Sequence, residues 1–314
     1  MTEWTPQIIQ NQDVKLAVYE AGPKDGAPIV LLHGWPELAY SWSLVMPALA
    51  EAGYHVMAPD LRGFGHSDCP PKISDYRIDV MMSDIEAVLD HYGHESAVLC
   101  GHDWGGILVW HAARLLPDRA SHIISICTPH IRRAPVDPVQ IYKKRHGEGH
   151  YFVHFNERYG EADALFDSDP DAFFRMMFRS VPKGSVLPSD FMHTPRKFKE
   201  YLKAGAPALK GQILTPAQRA VFTEGYARSG FRGGINLYRN TKANWECVEG
   251  LIEDISQPTL MLSPRDDLLL PPSLTDPMVD MVADLTRITI ADCGHWAMWE
   301  QPEVISKAIL EWLA

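Results

Sequence analysis

The sequence is poor in cysteine, has no long apolar run and carries no excess of positive charge. Its five cysteines are scattered without a Cys-x-x-Cys pair, which favours reduced thiols in a cytoplasmic protein. No apolar run approaches the roughly 20 residues that cross a bilayer, and the first residues lack the apolar segment of a signal peptide. A net charge of −11 speaks against binding to nucleic acid phosphates. We therefore expect a cytoplasmic protein that enters no membrane and binds no nucleic acid.

Two common catalytic motifs are also missing. The fourteen histidines include no His-Glu-x-x-His sequence, so the chain gives no local support for a metal site. It has no Gly-x-Ser-x-Gly sequence either, which argues against an esterase with a serine nucleophile. A catalytic function would therefore have to depend on other residues.

Short apolar runs alternate with helical patterns over the first part of the chain. We expect helices near 40–52, 77–92 and 105–116, and the apolar runs predict buried strands at 28–34 (PIVLLHG), 54–60 (YHVMAPD), 96–102 (SAVLCGH) and 122–128 (HIISICT). This alternation predicts a parallel sheet with right-handed crossovers. The pattern returns late, with strands expected at 257–264 and 285–291 and a last helix near 302–313.

The middle of the chain has a different pattern. From about residue 134 to 240 there is no clean strand, and aromatic residues, methionines and charges occur at helical spacing. We predict a helical cap at 134–240 that is inserted between two parts of an α/β core, 1–133 and 241–314. Such a cap would cover the sheet edge where open α/β sheets bind ligands. Within it, FFRMMF (173–178) and Met192 either line a pocket or form a core stripe.

The sequence GHDWGG (101–106) follows an apolar run and precedes a helical pattern. Glycine brackets the turn at 101 and 105, as in the strand–turn–helix motif that exposes a nucleophile. Serine is the familiar residue at the centre of this motif, but here the residue is Asp103. A carboxylate is ionised near neutral pH and can attack an electrophilic carbon to form an ester. We therefore predict that Asp103 is the nucleophile.

Two later segments supply a histidine and an acid. His295 lies in DCGHW (292–296), where it could activate a water that attacks an ester on Asp103. The acid that orients His295 is expected in LSPRDDLLLPP (262–272), which gives the chain order of the α/β-hydrolases: nucleophile, acid, histidine. We assign Asp266, because it comes four residues after the apolar run ends, whereas Asp267 could instead cap the following turn.

Hydrolysis of an ester on Asp103 produces an anion that backbone N–H groups must stabilise. One donor is expected from Trp104, directly after the nucleophile, and another from the loop LLHGWPE (31–37) after an early strand. In this loop Trp35 precedes Pro36, which has no N–H of its own. The sequence therefore predicts an oxyanion hole made by the N–H groups of Trp35 and Trp104.

Together these motifs resemble those of the soluble epoxide hydrolases of the α/β-hydrolase fold. HGWPE (33–37) matches their His-Gly-x-Pro motif, and RGFGHSD (62–68) matches their small-x-small-x-Ser motif. GHDWGG and DCGHW match their Asp elbow and catalytic histidine. The resemblance extends over nearly the whole chain and is looser in the cap. It implies a mostly parallel central sheet with an inserted helical cap, and a reaction that needs no metal or organic cofactor.

The resemblance also implies two cap tyrosines that hold and protonate an epoxide oxygen. SGFRGGINLYRN (229–240) resembles the segment of the second, which maps to Tyr238, although Leu237 stands where the family usually has Trp. HYFVHFNERYGEAD (150–163) resembles the segment of the first, which maps to Tyr151, but the local match is partial. Three neighbours therefore stay alternatives to Tyr151: His150, His154 and Tyr159. A phenol with a pKa of about 10 is protonated at neutral pH and can donate.

By this resemblance the protein is expected to convert a small apolar epoxide and water to a vicinal diol. Asp103 would attack an epoxide held by Tyr151 and Tyr238. His295, oriented by Asp266, would then activate the water that hydrolyses the ester. The expected substrate contacts come from the two tyrosines and from two tryptophans, Trp35 and Trp104.

Other functions stay open from the sequence. A haloalkane or haloacid dehalogenase shares the Asp elbow and the ester, but Trp35 stands where haloalkane dehalogenases often have Asn. Trp104 likewise stands where haloacetate dehalogenases have Arg, although it could hold a halide. A ligand receptor on the same fold could lose the nucleophile, the acid or the histidine, yet the chain keeps all three residue types. A monomer and a homodimer are both compatible with the sequence.

Overall fold

An eight-stranded sheet forms the centre of the protein in the computed structural model, which describes residues 5–180 and 193–314. Its strands are β1 (Gln7–Asn11), β2 (Val14–Ala21), β3 (Pro28–Leu32), β4 (His55–Pro59), β5 (Ala97–His102), β6 (Ala120–Ile126), β7 (Thr259–Pro264) and β8 (Leu285–Ile290). They lie in the order β1-β2-β4-β3-β5-β6-β7-β8. Neighbours among β3–β8 are parallel, whereas β2 is antiparallel to both β1 and β4. The mostly parallel sheet predicted from the sequence is confirmed.

The six predicted strands correspond to β3–β8, and the hairpin of β1 and β2 was not predicted. β1 is a short edge strand in which Ile8 is 53% exposed and Ile9 is buried. A strand of this kind has neither the continuous apolar run of a buried strand nor a regular alternation. The inner strands β4, β5 and β7 are buried along their whole length, which is why their sequences are easily recognised as strands.

Helices cover both faces of the sheet. On one face lie α1 (Met46–Glu51) and α13 (Pro302–Leu313), whose buried side chains share one apolar cluster. On the other face lie α2 (Ile78–Tyr92) and α3 (Trp104–Leu115), whose buried side chains belong to a second cluster. A short helix, α12 (Ala297–Glu300), precedes α13. Because helices pack on both faces, the sheet is held firmly and the ends of its strands have fixed positions.

Between β6 and β7 the described chain is helical. It forms α4 (Pro138–His146), α5 (Tyr151–Glu157), α6 (Glu161–Asp167), α7 (Pro170–Met177), α8 (Thr194–Lys203), α9 (Pro216–Ser229), α10 (Arg232–Arg239) and α11 (Thr241–Cys247). Phe173 and Phe174 are fully buried and pack on other aromatic rings, so they belong to the core of this helical region. Met192 lies outside the described residues. The domain boundaries drawn from the sequence stay a prediction.

Loops at the carboxyl ends of the parallel strands carry the candidate catalytic residues. Trp35 follows β3, Asp103 follows β5, Asp267 follows β7 and His295 follows β8. Parallel strands have their carboxyl ends at one edge of the sheet, so these distant parts of the chain meet there. In the two described ranges, no helix is both long and apolar enough to span a membrane.

Candidate active site

Asp103 occupies a tight turn between β5 and α3, as its sequence motif predicts. Its φ of +51° is uncommon for a residue other than glycine and marks a strained backbone. A Cβ at Gly105 would lie 1.9 Å from the carbonyl oxygen of Leu32. One at Gly101 would lie 2.1 Å from the carbonyl oxygen of Gly105. Only glycine fits these two positions, which explains why glycine brackets the nucleophile.

Two further contacts fix this turn. The Thr128 hydroxyl donates a hydrogen bond to the backbone carbonyl oxygen of Asp103 at 2.8 Å. On the other side, a Cβ at Gly34 would lie 2.5 Å from the Cβ of Asp103. The backbone of the loop after β3 therefore comes close enough to contact the nucleophile directly.

The two oxygens of the Asp103 carboxylate have different surroundings. Oδ1 accepts a hydrogen bond from the backbone N–H of Trp35 at 2.8 Å. The backbone N–H of Trp104 also lies close enough to this carboxylate to help lower its pKa. Oδ2 lies 3.8 Å from Nε2 of His295. Both expected oxyanion-hole donors thus lie at the nucleophile, and one carboxylate oxygen faces the histidine.

Burial governs the acidity of Asp103, whose side chain is 18% exposed. Loss of hydration raises its pKa above the ordinary value, because the charged form loses more hydration free energy on burial than the neutral form does. The charges of His295 and His102 act in the opposite direction, as do the two backbone N–H groups. The site therefore holds a desolvated carboxylate that a cation and backbone dipoles stabilise.

His295 pairs with Asp267, and the prediction of Asp266 as its partner is wrong. Nδ1 of His295 donates to Oδ2 of Asp267 at 2.8 Å, and the Asp267 side chain is fully buried. The prediction counted from Leu262, whereas β7 runs on to Pro264 and the loop leaves the sheet later. Asp266 is partly exposed, and its backbone N–H donates to the carbonyl oxygen of Cys293.

Asp267 also caps the loop that follows it. Its Oδ1 accepts hydrogen bonds from the backbone N–H groups of Leu269 at 2.8 Å and Leu270 at 3.0 Å. Burial alone would raise the pKa of Asp267, but the charge of His295 and these hydrogen bonds hold it below its ordinary value. One carboxylate thus performs both tasks, capping the turn with one oxygen and orienting the histidine with the other.

The two carboxylates near His295 control its protonation. Burial alone would lower the pKa of His295, but Asp267 first and Asp103 second raise it to about 9. At neutral pH the ring is therefore an imidazolium, with Nδ1 toward Asp267 and Nε2 toward Asp103. Loss of the charge on Asp103 would lower the pKa of His295, because one of the anions that stabilise the imidazolium would be gone.

A buried pair, Glu37 and His102, was not predicted from the sequence, although the two residues lie inside the motifs HGWPE and GHDWGG. Oε2 of Glu37 lies 2.7 Å from Nδ1 of His102, and both side chains are fully buried. Nε2 of His102 donates to the backbone carbonyl of His295 at 2.8 Å. Oε2 of Glu37 also accepts from the N–H of Gly34 at 2.7 Å. A usable signal was present in the sequence, because Glu37 and His102 are ionisable residues inside two motifs of the site, and ionisable residues are rarely buried there without a partner.

Tyr151 and Tyr238 lie together near the nucleophile. Their ring centroids are 5.8 Å apart, and the Tyr238 ring is 4.9 Å from that of Trp104. Burial is the largest cause that raises the pKa of each phenol well above its ordinary value, and the charge of Asp103 acts in the same direction. Both phenols are therefore protonated at neutral pH and can act as hydrogen-bond donors.

The alternatives to Tyr151 have other surroundings. Tyr159 is 62% exposed. Nε2 of His154 lies 3.9 Å from a carboxylate oxygen of Glu161. His150 caps α5, where its Nδ1 accepts from the N–H of Phe152 at 3.3 Å. The geometry favours Tyr151 as the partner of Tyr238.

Aromatic side chains surround the two tyrosines and the histidine. The Tyr238 ring contacts Trp35 and Phe155 edge to face. Trp296, next to His295, stacks on Phe178 with ring centroids 4.2 Å apart. Surroundings of this kind favour an apolar ligand and limit the access of bulk water.

One group of possible metal ligands occurs in the described part of the chain. The ligand atoms of His102, Cys127 and His295 lie within 4.8 Å of one another. Both ring nitrogens of His102 are already hydrogen-bonded, and Nδ1 of His295 is bound to Asp267. Burial raises the pKa of the Cys127 thiol well above its ordinary value, which disfavours the thiolate that a metal needs. These residues do not fit a metal centre.

Comparison with known sequences gives a consistent result. A family model described as the alpha/beta hydrolase fold matches residues 27–302. Epoxide hydrolase A of Mycobacterium tuberculosis is 38% identical, over 98% of this chain and 97% of that protein. Bifunctional epoxide hydrolase 2 of Sus scrofa is 34% identical over 98% of this chain. The chain spans about half, 54%, of the Sus scrofa protein.

Solved structures agree with the sequence comparison. Epoxide hydrolase A from Mycobacterium thermoresistibile superposes with a TM-score of 0.87 and 32% identity, covering 98% of both chains. An epoxide hydrolase from Vigna radiata superposes with a TM-score of 0.84 and 26% identity, covering 98% of this chain and 97% of that one. The similarity therefore extends over the helical region as well as the sheet.

Proposed function

The chain belongs to the epoxide hydrolases of the α/β-hydrolase fold, and from this premise we propose that Asp103 opens a small apolar epoxide, which leaves as a vicinal diol. One observation carries the proposal: a carboxylate nucleophile lies beside two phenols that are protonated at neutral pH, the buried Tyr238 and the partly buried Tyr151. Attack on an alkyl carbon needs an ionised nucleophile, and the departing oxygen needs an acid. Asp103 supplies the first, and Tyr151 and Tyr238 supply the second.

In the first step, Oδ2 of Asp103 attacks a ring carbon of the epoxide. The ester bond forms while the ring carbon–oxygen bond breaks, and the electron pair stays on the departing oxygen. Tyr151 and Tyr238 donate hydrogen bonds to this oxygen, and one phenol transfers its proton to it. The product is a hydroxyalkyl ester of Asp103 beside a tyrosinate.

The charge change on Asp103 converts His295 from an acid to a base. Before the ester forms, the anionic Asp103 helps to raise the pKa of His295 to about 9. The neutral ester removes this stabilisation, so the imidazolium of His295 gives up its proton, which passes through water to the tyrosinate and restores the phenol. His295 is then neutral, and Asp267 holds it with Nε2 toward the ester.

In the second step, His295 takes a proton from a water whose oxygen attacks the ester carbonyl carbon. Oδ1 becomes the oxyanion, which the N–H groups of Trp35 and Trp104 stabilise. The bond from the carbonyl carbon to the alkyl oxygen then breaks, and that oxygen takes a proton from His295. The diol leaves, and the new carboxylic acid gives its proton back to His295, which restores the starting pair.

The proposal also covers the substrate, the role of the helical region, and the location and oligomeric state of the protein. Aromatic lining supports small apolar epoxides as substrates, with water as the second reactant. The helices of residues 134–240 would act as the cap that keeps bulk water from the ester. Five free cysteines support a reducing, cytoplasmic location, and the protein would act as a monomer or homodimer. Conversion of a reactive epoxide to a diol suits a role in detoxification.

Product analysis of the purified protein tests the reaction class. We would incubate it with styrene oxide and, separately, with a bromoalkane, and measure diol and bromide. The proposal expects diol from the epoxide. Bromide without diol would make the protein a dehalogenase and would leave the tyrosines as packing residues. Tight ligand binding with neither product would point to a receptor.

Replacement of the tyrosines should slow formation of the ester. A hydrogen bond to a charged oxygen contributes about 1.5–3 kcal/mol, or roughly 10- to 150-fold in rate. Tyr151→Phe and Tyr238→Phe should each lower the rate of ester formation by about that factor, and the double variant should lose at least about 10³-fold. Stopped-flow fluorescence would measure this rate. Tyr159→Phe is the matched control, because Tyr159 is largely exposed. An unchanged rate in the double variant would remove both phenols from the mechanism.

A further inference from the structure

Arg239 directly follows Tyr238 and makes its hydrogen bonds in the interior of the helical region. Its side chain is 2% exposed and forms a two-bond ion pair with Asp163 of α6, through Nη1 at 2.8 Å and through Nη2. Nη1 also donates to Oδ1 of Asn236 at 2.9 Å. Nε donates to the backbone carbonyl of Phe155 in α5 at 3.2 Å. One guanidinium therefore joins α10 to both α5 and α6.

Phe155, whose carbonyl Arg239 holds, contacts both tyrosines. Its ring centroid lies 5.6 Å from that of Tyr151 and 5.1 Å from that of Tyr238, edge to face in each case. Tyr151 is the first residue of α5, and Tyr238 lies near the end of α10. The distance between the two phenols therefore depends on how α5 docks against α10.

α10 itself is anchored to the sheet domain near both ends. At its start, a Cβ at Gly233 would lie 2.4 Å from the carbonyl oxygen of Gly63, so the two backbones touch. Just after its end, Nδ2 of Asn240 donates to the carbonyl oxygen of Ile73 at 2.6 Å. These anchors fix the position of Tyr238 relative to the sheet. The hydrogen bond from Arg239 to the Phe155 carbonyl then fixes the position of α5 relative to α10.

From these contacts we propose that Asp163 and Arg239 form a positioning pair that sets the distance between the two ring-opening tyrosines. The inference rests on the proposed function, because it requires both phenols to donate to one epoxide oxygen. Two donors can share an oxygen only if both are placed accurately, and a displacement of about 1 Å can cost about 100-fold in rate. A planar guanidinium fixes direction as well as distance, which a lysine ammonium does not.

The double variant Asp163→Leu/Arg239→Met tests the pair without leaving an unpaired buried charge. Apolar side chains often replace a buried ion pair without loss of folding, but they cannot hold the Phe155 carbonyl. We expect ester formation to slow by about 10- to 100-fold per active site. Ester hydrolysis should keep its wild-type rate, because His295 and Asp267 lie in the loops after β8 and β7, away from α5, α6 and α10. Stopped-flow tryptophan fluorescence gives both rates, and mass spectrometry of the ester gives the number of active sites.

A second ion pair in the same helical region provides a matched control. Nε of Arg219 in α9 donates to Oδ1 of Asp171 in α7 at 2.7 Å. Neither helix carries a candidate tyrosine of the site. Asp171→Leu/Arg219→Met should therefore keep the wild-type rate of ester formation per active site, even if the thermal stability of the protein falls.

A double-mutant cycle with Tyr151→Phe separates positioning from general destabilisation. In the Tyr151→Phe background, replacement of the pair should add little, because the phenol that it positions is gone. Arg239→Lys gives the same comparison if the apolar pair does not fold. Full additivity in the cycle, or wild-type ester formation in the pair variants, would overturn the inference. Even then, diol formation by the wild type and slow ester formation in Tyr238→Phe would support the proposed function. Failure of the positioning pair can therefore be distinguished from failure of the proposed function.

Discussion

Asp103→Asn is expected to abolish lasting turnover of an epoxide. A carboxamide has no negative charge with which to attack the ring carbon, and loss of a residue that acts as part of a catalytic unit costs at least about 10⁴-fold. The substitution is nearly isosteric, and an amide oxygen can still accept the hydrogen bond from the N–H of Trp35. The turn should therefore keep its structure, and the loss would report on chemistry.

Oxygen labelling checks this prediction at the level of the mechanism. In a single wild-type turnover in ¹⁸O-water, the diol should be unlabelled, because its new oxygen comes from Asp103, and the label should appear in the protein. Asp103→Asn should give neither a covalent adduct nor label. Asp118→Asn, at an exposed acid after α3, should behave as wild type. Undiminished turnover in Asp103→Asn would exclude an ester intermediate.

The nucleophile turn could be predicted because its requirements leave their mark in one short segment of the sequence. Gly101 and Gly105 have no room for a Cβ, and such steric demands appear directly in the sequence as glycine. The buried central strands could be predicted for a similar reason, since burial on both faces requires continuous apolar runs. Signals of this kind appear within one short segment of the sequence, even where the neighbour that imposes them is distant in the chain, as Leu32 is from Gly105.

The partner of His295 could not be predicted because it depends on the path of a loop. Asp266 and Asp267 are adjacent and chemically identical, so composition does not distinguish them. Which one turns inward is decided where β7 ends and by the hydrogen bonds of Asp267 to the next residues of the loop. An assignment that is wrong by one residue therefore selects the partly exposed Asp266 in place of the buried Asp267.

Two buried ion pairs that join distant segments were missed. Glu37 and His102 are 65 residues apart in the chain, and Asp163 and Arg239 are 76 apart. Each pair is buried, and each links two segments that are distant in the chain. A single sequence presents these residues as four separate ionisable side chains. Their pairing follows from the topology, which brings the segments together.

Asp267→Asn should stop hydrolysis of the ester while it leaves ester formation largely intact. An amide cannot hold the imidazole in the correct tautomer or stabilise its positive charge, and in catalytic triads the same change costs about 10⁴-fold. The pKa of His295 should fall below its wild-type value of about 9, because Asp267 is the largest cause that raises it. Asp103, Tyr151 and Tyr238 stay in place, so the ester should accumulate. Mass spectrometry of the intact protein should show an adduct with the mass of the epoxide.

Asp266→Asn is the matched control, because it makes the same chemical change one residue away. The backbone N–H of Asp266 holds Cys293 and is unaffected by the substitution, so turnover should stay within about twofold of wild type. The opposite results, with loss of turnover in Asp266→Asn and normal turnover in Asp267→Asn, would contradict this assignment. They would mean that Asp266, and not Asp267, orients His295 during the reaction. Accumulated ester in Asp267→Asn alone would assign the hydrolytic step to His295 and Asp267, because only that step requires a neutral, correctly oriented imidazole.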